Sequence, residues 1–106
     1  MPRTVTVRIP HELGKAEARR RVERGFGSIE QQLGGTALKM SFQERWENDR
    51  MYFTGGSFGH TVRGHADVLE DAVVVEVVLP TLLAALAETV KSRITRQGRL
   101  LLEQKH

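Results

Sequence analysis

Ala72 to Leu79 reads A-V-V-V-E-V-V-L, runs directly out of Glu70-Asp71 and stops at Pro80. No other stretch of this chain so narrows what it can fold into. Eight residues dominated by valine and bounded by turn-forming residues predict a buried strand, because β-branched side chains pack well on a pleated surface. Side chains alternate across a strand, so Val73, Val75, Val77 and Leu79 share one face, while Ala72, Val74, Glu76 and Val78 share the other. Only Glu76 interrupts the second face. Such a strand is either covered on both faces or covered on one and left for a partner or ligand on the other.

The remaining elements arrange themselves around it. Arg3 to Ile9 alternates, with Val5, Val7 and Ile9 on one side and Thr4, Thr6 and Arg8 on the other, which predicts a half-buried strand ended by Pro10. His11 to about Leu33 predicts a helix with Ala18, Val22, Phe26, Ile29 and Leu33 on one face and Glu12 in its first turn. Gly25 and Gly27 weaken that helix, so a bend or break is expected near Gly25. Gly34-Gly35 supplies a stop. Leu38, Met40, Phe42 and Trp46 mark a second strand, Glu47-Asn48-Asp49-Arg50 a hairpin turn, and Met51 and Phe53 the start of a third strand. Gly55-Gly56-Ser57 predicts a turn or bulge, and Phe58 to Val68 a fourth strand with Val62, Gly64, Ala66 and Val68 on one face. After Pro80 a closing helix buries Leu83, Leu86, Ala87, Val90 and Ile94, with Gly98 fraying its end and 98–106 loose. The order β-α-β-β-β-β-α predicts an α+β fold: a curved antiparallel sheet of four to five strands with two helices on one face. The first strand's place in the sheet stays open between a position beside the last strand and another edge.

The chain has 106 residues, which fits one domain with its own core. It has no cysteine, so disulfides, thiolate metal ligands and thiol nucleophiles are excluded. No apolar run approaches the ~20 residues of a membrane span, and the first residues lack a signal-peptide core. A cytoplasmic protein is the simplest expectation. His60 and His65 are an odd number of residues apart on one strand and so face opposite ways, which argues against a shared metal. Glu44, Glu47, Asp49, Glu70 and Asp71 fall in or beside turns, where carboxylates are solvated. Ser28, Ser41, Ser57 and Ser92 lack the setting of an activated nucleophile. Gly55, Gly56 and Gly59 do not build a phosphate loop, since no Gly-Lys-Ser/Thr follows. The residues therefore call for no catalytic group, no cofactor and no metal.

An N-terminal strand leading to His11-x-Leu13, then Phe53-x-x-Gly56-x-x-Gly59, then a V-x-V strand closing on Leu79 and Leu82-Leu83, resembles the polyhydroxyalkanoic acid system family, the granule region proteins. The resemblance runs from about Val5 to Ile94. The family's usual L-G-F-L before the last helix stands here as Leu79-Pro80-Thr81-Leu82, and Gly25 to Gly35 also departs from its pattern. The resemblance implies a bacterial accessory protein of polyester storage granules, with no established catalytic residues to transfer.

Two kinds of binding surface follow. The first is apolar, formed by Val74, Glu76, Val78, Leu82, Leu83 and Leu86, and suits a granule, a hydrophobic ligand, a granule protein or a second copy in a homodimer. The second is basic. The formal net charge is +3. Arg19, Arg20 and Arg24 on the first helix and Arg93 and Arg96 on the second could meet an anionic surface or nucleic acid. Glu17 and Glu23 dilute the first helix's charge, and the strands show no base-stacking aromatic signature, which disfavours nucleic acid. An enzyme or acyl carrier would need a cavity between the sheet and the last helix.

Overall fold

The computed structural model describes residues 1–34, 41–57 and 60–103; the side chains of 26–34, 41, 42, 57 and 60 lie outside that description. The elements run β1 (Arg3–Pro10), α1 (Lys15–Gly34), β2 (Ser41–Glu47), β3 (Arg50–Ser57), β4 (His60–Val68), β5 (Ala72–Leu79), a 3-10 helix (Thr81–Leu86) and α2 (Ala87–Leu102). This is the expected α+β order. The strands form one antiparallel five-stranded sheet in the order β1-β5-β4-β3-β2. The open question about β1 is thus answered: it lies beside β5 as an outer strand, and the valine strand is interior.

The registers place Val77 between Val5 and Gly64, Val75 between Val7 and Ala66, and Val73 between Ile9 and Val68. These rows form the covered face. Val5, Val7, Ile9, Val73, Val77, Leu79, Ala66 and Val68 are buried there with Ala18 and Val22 of α1 and Ala87 and Leu102 of α2. The alternation in β1 and β5 is what selects this face, since a slip of one residue would turn every valine of the set to solvent. Gly64 sits under this layer, where β4 approaches β5 and Phe53 most closely. Just past β1, the His11 N–H reaches the Asp71 carbonyl at 2.9 Å. Hydrogen-bonded pairs alternate along an antiparallel ladder, so Thr4, Thr6, Arg8 and Pro10 turn their main-chain groups away from β5. Pro10 has no N–H to leave unpaired there. Among the strands, α2 packs chiefly on β1.

Several local expectations are corrected. The first helix begins at Lys15, not His11. Gly14 takes φ +78°, a left-handed turn that residues with a side chain rarely adopt, and it breaks the helical path before Lys15. Glu12 therefore precedes the helix, and Glu17 is the acidic residue of its first turn. His11 is freed from the helix and buried: its Nδ1 accepts from the Leu13 N–H at 3.2 Å, so its Nε2–H donates to the Leu69 carbonyl at 3.1 Å. The Glu70 carboxylate, from the β4–β5 turn, accepts from the Lys15 N–H at 3.2 Å and satisfies one free donor of the helix start.

No break occurs at Gly25, because α1 runs unbroken from Lys15 to Gly34. A Cβ at Gly25 would stand 2.7 Å from Leu101 Cδ2, so the glycine lets the two helices meet closely. Likewise α2 does not end at Gly98 but continues to the buried Leu102; Gly98 faces Ile9 with no room for a side chain. Gly55 and Gly56 lie inside β3, paired with Val62 and Thr61, rather than in a turn. The hairpin at Glu47–Arg50 is as expected, with Asn48 at φ 55°. Phe26, Ile29 and Leu33 have side chains outside the description, as does Phe42, and Leu38 and Met40 lie outside the described residues.

Candidate functional site

The chain leaves β5 through Pro80, whose φ of −63° and ψ of 162° end the strand. The Leu83 N–H then donates to the Pro80 carbonyl at 2.8 Å and closes the first turn of the 3-10 helix. A 3-10 helix returns to the same side every third residue, whereas an α-helix needs 3.6. Leu83 packs on the core, while Leu82 and Ala85, three apart, stay outside. Leu86, expected in the buried face of a regular α-helix, is instead 50% exposed, and Leu82 is 66% exposed.

From Ala87 the helix is α, and its outer side continues the same strip. Thr89, Arg93, Arg96 and Leu100 follow at steps of four, three and four, all exposed, Leu100 at 59%. Arg99 is exposed at the border of this line, and Lys91 is exposed on the other side of the helix. The helix has a single carboxylate, Glu88, already paired with Arg3 at 3.5 Å. Lys91, Arg93, Arg96 and Arg99 make no ion pair among the described residues.

The cations of α1 are in a different condition. Arg19 meets Glu23 at 3.1 Å and Asp49 at 3.6 Å, and its guanidinium lies 4.4 Å from the Trp46 ring centre. Arg20 and Arg21 both bind Glu17, at 2.6 and 3.0 Å. The Arg21 hydrogen bond, with the charges of Arg20, Arg21 and Arg24, holds the Glu17 carboxyl below the usual carboxylate range. Arg21 also donates to the Leu101 and Glu103 carbonyls at 3.4 and 2.6 Å, closing the end of α2. The five arginines of the sequence-derived basic surface are therefore not alike. Arg19 and Arg20 are engaged, and Arg24 is exposed without a direct ion pair among the described residues. Arg93 and Arg96, on α2, make no ion pair among the described residues.

The apolar candidates divide as well. Val74, Glu76 and Val78 are half-buried on the sheet's uncovered face. Val74 stands between Arg8 and Asp67, Glu76 between Thr6 and His65, and Val78 between Thr4 and Arg63. Polar neighbours thus separate the two valines from any continuous apolar area. Around them Arg50 grips Asp67 with two hydrogen bonds, which raises the guanidinium's pKa further, and Tyr52 lies 6.1 Å from the His65 ring. His65 Nε2 approaches Asp67 at 3.7 Å. A shallow groove of about 600 Å3 opens nearby, lined by Lys15, Asp49, Arg50, Tyr52, Asp67 and Leu69 among others. Its charges already satisfy one another, Lys15 with Asp49 at 3.2 Å and Arg50 with Asp67. No group of three or more His, Asp or Glu side chains able to hold a metal occurs among the described residues, and among them no helix is long and apolar enough to cross a membrane.

The exposed leucines of the 3-10 helix and the two arginines Arg93 and Arg96 of α2 thus lie along one outer strip. Leu100 was missed by sequence reasoning because the helix was expected to end near Gly98. A family model described as polyhydroxyalkanoic acid system protein, of the granule region, matches residues 5–102. No curated protein and no solved structure matches the chain.

Proposed function

The chain belongs to the polyhydroxyalkanoic acid system family over nearly its whole length, and from that premise we propose that it is a non-enzymatic accessory protein that attaches to the surface of polyhydroxyalkanoate granules in the cytoplasm. The contact is made by Leu82 and Leu86. The observation that carries this reading is their exposure, 66% and 50%, on a helix held in place by the core-packed Leu83 between them. A fully buried leucine side chain gains roughly 1.5–3 kcal/mol. Each of these two leucines is already partly covered, so each gains less, about 1–2 kcal/mol, on lying against polyester. Such a gain fits reversible attachment.

Co-sedimentation of the purified chain with polyhydroxyalkanoate particles tests this. The wild type is expected in the pellet, and Leu82→Ser/Leu86→Ser in the supernatant. A wild type that stays in solution, or a double variant that pellets equally, overturns the reading. If the leucines instead pair two copies of the chain, size-exclusion chromatography will show a dimer that the double variant loses, with no pelleting by either protein.

A further inference from the structure

The charge of this molecule is not spread evenly. Its formal net charge is +3, and α2 alone carries Lys91, Arg93, Arg96 and Arg99 against the single carboxylate Glu88. The entire excess therefore sits on one 16-residue helix, and the rest of the chain is balanced. The balance elsewhere is largely local: on α1, Arg19, Arg20 and Arg21 are met by Glu17, Glu23 and Asp49. On α2 the four cations are exposed and unpaired among the described residues, and Arg93 and Arg96 share the outer strip with Leu82, Leu86 and Leu100.

We propose that this strip docks on an anionic lipid surface, with Leu82, Leu86 and Leu100 entering the boundary between headgroups and acyl chains and Arg93 and Arg96, flanked by Arg99, meeting the headgroup phosphates. The inference rests on the attachment through Leu82 and Leu86 and names the chemistry of the surface it prefers. Three observations on the strip select lipid over nucleic acid. First, the exposed leucines have no role against a sugar-phosphate backbone but suit an interface with an apolar side. Second, single strands are held largely by aromatic stacking, and Trp46, Tyr52 and Phe53 all belong to strands β2 and β3, away from this helix. Third, α2 is about 24 Å long at 1.5 Å per residue. It can lie flat on its outer side with Arg93, Arg96 and Arg99 inside one Debye length of a headgroup layer. A basic residue close to an anionic leaflet strengthens binding about fivefold. Arginine is also suited to phosphate by its two-pronged donor geometry.

The test uses the full chain and vesicles of two compositions, phosphatidylcholine alone and phosphatidylcholine with an equal share of phosphatidylglycerol, in a flotation assay at low and high salt. Binding is expected to the anionic vesicles, weak or none to the neutral ones, and falling as salt is raised. Arg93→Gln/Arg96→Gln keeps helix propensity and removes no buried contact, so circular dichroism should be unchanged. It is expected to weaken binding to anionic vesicles by roughly 25-fold, two cations at about fivefold each. Its pelleting with bare polyester particles should be unaltered. Equal binding to both vesicle compositions, an arginine variant that binds as the wild type does, or arginine-dependent binding to duplex or single-stranded DNA without vesicle binding each overturns the inference. A wild type that floats with anionic vesicles but does not pellet with polyester overturns the earlier reading alone.

Discussion

Gly64→Ala is the substitution whose sign the structure fixes most firmly. In an exposed strand, replacing glycine by alanine removes unfolded-chain freedom and stabilises by about 0.5–1 kcal/mol. At Gly64 the new Cβ would lie 2.7 Å from Phe53 Cζ and 3.1 Å from Val77 Cα, and closer still to the Glu76 carbonyl oxygen. Real Cβ atoms essentially never approach within 3.0 Å. The Phe53 ring has some freedom to turn. The Glu76 carbonyl has much less, because it belongs to the interior strand of the sheet, paired on one side to β4 and on the other to β1. Relief therefore requires β4 and β5 to part locally. Overpacking of this kind costs about 1–3 kcal/mol, and each ladder hydrogen bond weakened adds up to about 1 kcal/mol. The steric term wins, and the variant is expected to be less stable by about 2–3 kcal/mol, a lowering of the melting temperature by roughly 10 °C or more for a domain this size. Urea denaturation followed by far-ultraviolet circular dichroism reads the midpoint, with an unchanged slope showing that the unfolded state is unaffected. A Gly64→Ala variant as stable as the wild type, or more so, would refute the close approach of β4 to β5 and the argument built on it.

His11→Ala removes a buried side chain that serves the Leu13 N–H and the Leu69 carbonyl together. The expected loss is about 2–3 kcal/mol in the same denaturation assay, and a loss under 0.5 kcal/mol would show that both groups find other partners. Glu17 has its carboxyl pKa lowered in the folded state, chiefly by the Arg21 hydrogen bond. Its contribution is therefore complete above the unfolded carboxylate value and disappears as pH falls through the folded one. Comparison of Glu17→Gln with the wild type should show a stability difference at neutral pH that closes at acid pH; a difference that persists or grows in acid contradicts the pairing.

The covered face was legible because alternation leaves no freedom: Val73, Val75, Val77 and Leu79 had to lie together, and they do. Topology was less so, since the pattern of β1 is the same whether it pairs with β5 or stands at the opposite edge. Glycines were the chief source of error. Gly25 and Gly98 read as breaks by propensity, but they are the points where a helix must come close to Leu101 and Ile9. Propensity describes a residue's own backbone and carries no information about what presses on it from elsewhere. Leu86 was expected in the buried face of one regular helix, but it stands at the join of the 3-10 helix and α2 with φ −93° and ψ 7°, and its side chain is half exposed. In the candidate site, the sequence already showed that the cations of the first helix are diluted by carboxylates and those of the second are not. The Glu17 and Glu23 partners were within one turn and could be read. Asp49, which takes Lys15 and Arg19 from across the fold, could not, and it is part of what leaves α2 as the molecule's uncompensated charge.

A protein that collects on a surface meets its own copies at high local concentration, where an open sheet border is a template for runaway strand addition. The border formed by β1 is poorly suited to that. It ends in a residue with nothing to donate at Pro10, and it carries α2 against it as a roof. Two such borders brought together would drive their roofs into each other before the main chains could join, since packed helices need axes about 8–10 Å apart while paired strands lie about 4.8 Å apart. The border along β1 is therefore guarded against strand addition on two counts, one in its backbone and one in the helix above it.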